Sequence, residues 1–134
     1  MGDGVADAIY ADEQNAYVFE GQTGASELTV PRQSGTLIEY PVVADVDNDG
    51  SAEVVVVSNA VGALTAAAVT VYRDAEDRWI PARRIWNQHA YHVTNVREDG
   101  TIPQHMKNNW MLLNTFRTNS QVEAGGDCDP DPPQ

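Results

Sequence analysis

The chain has 134 residues, 20 acidic against 8 basic side chains, a net charge of −12 and a pI near 4.3. That balance argues against nucleic-acid binding, because no basic stripe exists to neutralise phosphates, and 42% hydrophobic residues exclude global disorder. No stretch approaches the ~20 apolar residues of a membrane helix; the longest candidate, Val61 to Tyr72, is short and carries Thr65 and Thr70.

From the N-terminus, Met1-Gly2-Asp3-Gly4 has neither the basic start nor the apolar run of a secretory leader, and Ala6 stands where a myristoylation signal needs Ser or Thr. Ala16-Tyr17-Val18-Phe19 reads as a strand and Gly21-Gln22-Thr23-Gly24 as the polar turn after it. Two further β-forming runs, Tyr40 to Ala44 and Glu53 to Ser58, flank the most informative stretch of the chain, Asp45-Val46-Asp47-Asn48-Asp49-Gly50-Ser51-Ala52-Glu53. β-branched runs of that length read as buried strands.

The side chains at positions 1, 3, 5 and 9 of this loop are Asp45, Asp47, Asp49 and Glu53. They can converge on one point, and the backbone carbonyl of Ser51 at position 7 can join them. The result is an oxygen cage suited to Ca²⁺, a hard cation that takes 6–8 oxygen ligands at ~2.3–2.6 Å. Without a cation the cluster repels itself, since like charges near 4 Å cost ~1 kcal/mol in water and ~4 at a protein-like effective dielectric. Gly50 supplies the backbone freedom for a tight turn around an ion. An Asp/Asn/Gly hairpin turn is the plainer alternative, but it needs one or two such residues, not four carboxylates. An EF-hand needs a bidentate Glu at position 12 and helices on both sides; position 12 is Val56 and the flanks are strand-like.

Beyond the loop, Val69-Thr70-Val71-Tyr72 reads as a strand before a turn at Asp74-Ala75-Glu76-Asp77. Residues 77–96 are rich in aromatics and arginine, with Trp79, Arg83, Arg84, Trp86, His89, Tyr91 and His92. Asn95 to Pro103 reads as a turn, and Met106, Trp110, Leu113 and Phe116 recur at near-helical spacing, which predicts a short helix. The three tryptophans read as core and edge packing rather than a ligand platform. His89 and His92 are three apart, without the His-Glu-x-x-His pattern of a zincin, and are expected to be structural. The acidic, proline-rich end from Gly125 to Gln134 reads as a solvated linker. Its lone Cys128 lacks a positioned base and is no nucleophile candidate.

The run Tyr40-Pro-Val-Val-Ala-Asp-Val-Asp-Asn-Asp-Gly-Ser-Ala-Glu-Val-Val-Val-Val57 resembles the calcium loop of FG-GAP/VCBS repeats, the blades of integrin-α-like β-propellers in bacterial extracellular proteins. The Phe-Gly and Gly-Ala-Pro signatures of integrin repeats are absent, so the likeness is to the bacterial propellers. The resemblance implies Asp45, Asp47, Asp49, the Ser51 carbonyl and Glu53 as Ca²⁺ ligands; Glu53 stands where the family usually has Asp. Gly2 to Tyr10 aligns with Asn48 to Val56, an offset of 46 residues, within the range of one blade. In that first copy only Asp3, the Val5 carbonyl and Asp7 remain as metal ligands, so the chain is expected to begin inside a calcium loop and to be a C-terminal fragment of a longer protein.

The expected fold is therefore all-β: a β-propeller fragment of about two blades with antiparallel strands, a strand-loop-strand calcium site and an irregular C-terminal segment. The expected divisions are blades over 1–76, an aromatic-rich segment over 77–120 that closes or covers the last blade, and a linker or tail over 121–134. A propeller needs 4–8 blades, so the remaining blades are expected elsewhere in the longer chain. The leading functional expectation is a non-enzymatic, calcium-stabilised module of an exported or cell-surface protein, serving adhesion, recognition or scaffolding through a protein or carbohydrate ligand. A calcium-bearing propeller enzyme such as a polysaccharide lyase is the rival, with His89, His92, Tyr91, Arg83 and Arg84 as its candidate residues, and an EF-hand-like sensor is the third reading.

Overall fold

The computed structural model describes residues 5–60, 62, 63, 65–112 and 115–119. Six strands form, β1 Ala8–Ala11, β2 Asn15–Phe19, β3 Ser26–Pro31, β4 Val42–Ala44, β5 Glu53–Val57 and β6 Val69–Tyr72, with one helical turn, α1 Asn109–Leu112. They make two three-stranded sheets of order β1-β2-β3 and β4-β5-β6. The expected all-β class and antiparallel pairing hold. By contacts the chain divides into one unit of residues 1–42 and 53–79 and a second of residues 43–52 and 80–134.

In the first unit, β2 alternates as a strand with one packed face should. Ala16 and Val18 are buried, whereas Asn15, Tyr17 and Phe19 on the other face are half-buried. The pairing Tyr10↔Tyr17 fixes the hairpin register. Those two rings stack with centroids 6.2 Å apart, and Tyr17 stacks on Phe19 at 5.5 Å. Asp12 closes the turn: its carboxylate accepts the N–H groups of Gln14 and Asn15 at 2.8 and 2.7 Å and the Tyr17 hydroxyl at 2.9 Å. These bonds, that of Gln14 foremost, hold the Asp12 carboxyl below the usual carboxylate range.

Between β2 and β3 the chain turns against its own N-terminal stretch. A Cβ on Gly21 would lie 2.1 Å from the Ala6 carbonyl oxygen and 2.9 Å from Val5 Cγ1. Only glycine fits, because the opposing atom is backbone and cannot swing away. Gly21→Ala is expected to cost about 1–3 kcal/mol, the range of overpacking substitutions, read as a lowered midpoint in thermal or urea unfolding.

Strand β5 departs from the fully buried strand that its valine run suggests. Val54 and Val56 are buried, but Val57 is 36% exposed and pairs with Val69, itself 58% exposed. Val55 pairs with Val71, 48% exposed. A run of identical side chains hides the alternation that a mixed sequence would display; one face of the β5-β6 pair is packed and the other is open.

The segment between β3 and β4 is held by one carboxylate. Glu39 accepts the hydroxyls of Ser34, at 2.6 Å, and Thr36, together with Asn59 Nδ2 at 3.1 Å and Arg32 NH2 at 3.3 Å. Bonding to Ser34 and Thr36 lowers its pKa to about 2. A carboxylate whose folded pKa is depressed contributes stability that is complete above its ordinary value of 4.5 and is lost as pH falls from there through about 2. Urea unfolding between pH 5 and pH 2 is expected to show a shallower loss of stability for Glu39→Gln than for the wild type. Asp12, Asp74 and Asp99, also lowered, keep the variant's slope above zero.

The second unit has its core in Ala44, Ala52, Ala82, Tyr91, Val93 and Val96. Residues Tyr91 to Val96 are all buried although none is in a strand. Turn bonds such as Asn95 N–H to the His92 carbonyl and Arg117 N–H to the Tyr91 carbonyl satisfy part of their backbone, and two further carbonyls are held by Arg83, whose side chain is 0% exposed. Its Nε donates to Glu98 Oε1, NH1 to the Tyr91 hydroxyl at 3.2 Å and the Val93 carbonyl at 3.1 Å, and NH2 to the Val96 carbonyl at 2.8 Å. The guanidinium fork thus satisfies two buried carbonyls that no strand partner reaches. The near-helical spacing after Met106 yields only the single turn of α1, with Met106, Trp110 and Phe116 exposed by 57, 68 and 58%; Leu113 lies outside the described residues. Trp110 therefore departs from the packing expected of it, whereas Trp86 stacks on the buried Tyr91 at 4.9 Å.

Candidate metal centre

The acidic loop leaves β4 and enters β5, so its flanks are strands and not the helices of an EF-hand. Its curvature comes from two residues with left-handed backbone, Asn48 at φ 65 and Gly50 at φ 97. Asn is among the few side-chain-bearing residues that tolerate this region, and glycine occupies it without steric cost. Each aspartate is oriented by a backbone N–H. Asp45 Oδ1 accepts from Asn48 at 2.6 Å and Oδ2 from Gly50 at 3.1 Å; Asp47 Oδ1 accepts from Asp49 at 3.3 Å, and Asp49 Oδ1 from Ser51 at 2.8 Å.

Oxygen atoms of Asp45, Asp47 and Asp49 lie within 4.8 Å of one another. Three carboxylates at that spacing form an all-oxygen donor set, and a carboxylate oxygen that accepts one N–H keeps a second lone pair for a cation. Both the chemistry and the spacing fit a hard divalent ion better than a transition metal, which prefers nitrogen or sulfur. Among the described residues this is the single group of three or more His, Cys, Asp or Glu side chains so placed. Asp45 is buried; Asp47 and Asp49 are exposed, which leaves the centre open to solvent on one side.

Of the other residues singled out, Ser51 and Glu53 are buried at 7 and 1% exposure. Ser51 would contribute its carbonyl, and Glu53 does not join the three-aspartate grouping. In the first copy, Asp7 Oδ1 accepts the N–H of Gly21 at 3.1 Å and Val5 is 40% exposed. Asp3 lies outside the described residues, as do Cys128 and the stretch 121–134.

His92 is buried and His89 exposed. Thr94 donates its hydroxyl proton to the Lys107 carbonyl at 2.7 Å, so at 3.0 Å it accepts from His92 Nδ1, which fixes the neutral ring with its proton on that nitrogen. Burial lowers the His92 pKa and keeps it neutral. The partner of the ring is thus a threonine side chain. Sequence reading also missed two residues beside the loop. Arg83 offers its carbonyl to the N–H of Asp45 at 3.1 Å, and Arg84 NH1 donates to Asn48 Oδ1 at 3.0 Å. Neither has a signal in spacing; only the left-handed preference of Asn48 hints that its side chain is free to be gripped from outside the loop.

Residues 1–56 match the FG-GAP-like repeat family, so the resemblance is borne out over that stretch. No curated protein matches the chain. Among solved structures it is similar to the crystal structure of the V. cholerae biofilm matrix protein Bap1, with 33% identity and a TM-score of 0.79 over 90% of this chain. The chain spans 21% of that protein's chain.

Proposed function

We propose that this chain is a calcium-stabilised, non-enzymatic part of a β-propeller in an extracellular protein, and that it serves adhesion or scaffolding within a cell-surface matrix. The observation that carries the reading is the likeness to a biofilm matrix protein at 33% identity over 90% of the chain. The FG-GAP-like repeat over residues 1–56 supports it. No helix among the described residues is long and apolar enough to cross a membrane, and the net charge of −12 suits a protein that meets divalent cations and neutral or protein partners rather than phosphate backbones.

Asp45, Asp47 and Asp49 would hold the ion, and loop spacing adds the Ser51 carbonyl and Glu53. Calcium supplies positive charge that turns a self-repelling turn into a cross-link between two strand ends. The partner proposed is a matrix protein or polysaccharide. Of the five residues an enzyme would draw on, Arg83 and Tyr91 are buried and bonded to each other, which favours a structural role for both. The test is retention. A fluorescently tagged chain added to the matrix of the producing cells is expected to stay after washing in calcium and to leave in chelator. Equal washout in both would overturn the proposal.

A further inference from the structure

We propose that Asn119 is a positioning residue for the acidic loop, acting through the backbone on either side of Asp45; its link to calcium rests on the cation reading above. Its amide makes four bonds. Nδ2 donates to the Val43 carbonyl at 2.8 Å and the Arg83 carbonyl at 2.9 Å, while Oδ1 accepts the Arg83 N–H at 3.3 Å and the Tyr91 hydroxyl at 3.3 Å. Two carbonyls can only accept, so the nitrogen must face them and the orientation of the amide is forced. The Arg83 carbonyl also receives the N–H of Asp45 at 3.1 Å. One side chain therefore pins Val43, two residues before Asp45, and the carbonyl to which Asp45 itself is tied.

This arrangement fixes where the first carboxylate starts. Asp45 in turn accepts the N–H groups of Asn48 and Gly50, so its placement sets the curvature of the turn that carries Asp47 and Asp49. Asn119 is remote in sequence, 76 residues from Val43, and its four bonds go to Val43, Arg83 and Tyr91 rather than to the carboxylates. Residues that orient a ligand from behind typically change metal affinity 10–100-fold when removed. Alanine at 119 leaves the Val43 carbonyl without this donor and frees Asp45 to drift.

The experiment measures hydrogen exchange of the Asp45 amide in metal-free protein, and calcium affinity by titration, in wild type, Asn119→Ala and the exposed control Thr118→Ala. Asn119→Ala is expected to speed exchange at Asp45 at least tenfold and to weaken calcium at least tenfold, with the β2 and β3 amides and the control unchanged. Unchanged exchange at Asp45 overturns the positioning role, as does wild-type calcium affinity in the variant. If the wild type takes up no calcium, the cation reading falls, and exchange at Asp45 alone decides whether Asn119 holds the loop. Should Asn119→Ala lose β2 and β3 protection and so fail to fold, Tyr91→Phe, which removes one of the four bonds, is expected to move both readouts the same way by a smaller factor; no movement there overturns the proposal.

Discussion

Asp47→Ala/Asp49→Ala is expected to abolish measurable calcium uptake in isothermal titration, against a wild-type dissociation constant on the order of 10⁻⁴–10⁻³ M, the range of extracellular modules. Two of the three clustered carboxylates are lost, and one remaining aspartate cannot replace the water displaced from the ion. Stability should change sign with conditions. In chelator, Asp47→Asn, which keeps an acceptor for the Asp49 N–H, removes repulsion of ~1–4 kcal/mol per close pair and should melt at or above the wild type. With free calcium at 100 times the dissociation constant, the wild type gains about 2.7 kcal/mol and should melt higher. Equal calcium uptake by the wild type and the double variant would sink the assignment. Magnesium should compete poorly, because it demands near-octahedral geometry and dehydrates reluctantly.

Arg83→Ala is expected to cost the second unit about 2–4 kcal/mol, toward the lower end of what removing one partner from a buried ion pair costs, because Glu98 keeps partial contact with solvent. The guanidinium is 0% exposed, and its loss takes the side-chain donor from the Val93 and Val96 carbonyls and the ion-pair partner from Glu98. Arg83→Lys should restore little, since a single ammonium cannot reach acceptors spread around a planar fork. Urea unfolding monitored by tryptophan fluorescence provides the readout, with Trp86 stacked on Tyr91 as the local reporter. A loss below 1 kcal/mol would show that the buried loop 91–96 is held by packing instead.

How far the sequence could be read divides along physical lines. The clustering of Asp45, Asp47 and Asp49 was legible because its information is local: carboxylates at alternate positions beside Gly50 define a turn wherever the fold places it. The internal alignment was legible for the same reason: β1 falls opposite β5 in it, and each is followed by an antiparallel partner, β2 and β6. Strand β3 went unread although Leu28 and Val30 alternate with exposed neighbours, because no adjacent turn chemistry drew attention to it. The half-open face of β5 was hidden by four consecutive valines. The frame of residues 80–119 was beyond reach, since Arg83, Glu98 and Asn119 bond over 15 to 36 residues with no period to mark them.

The paired repeats differ most in how their hairpins close. Residues 12–14 turn β1 into β2, whereas residues 58–68 join β5 to β6, and both hairpins nevertheless keep continuous antiparallel register. The same kind of strand pairing thus forms across connections of very different length, as loop-closure entropy allows, since a doubling of loop length costs only about 0.6 kcal/mol. An epitope or a small reporter domain grafted between Gly62 and Ala63 would sit on exposed residues of the longer connection and leaves Gln33's hold on Thr65 intact.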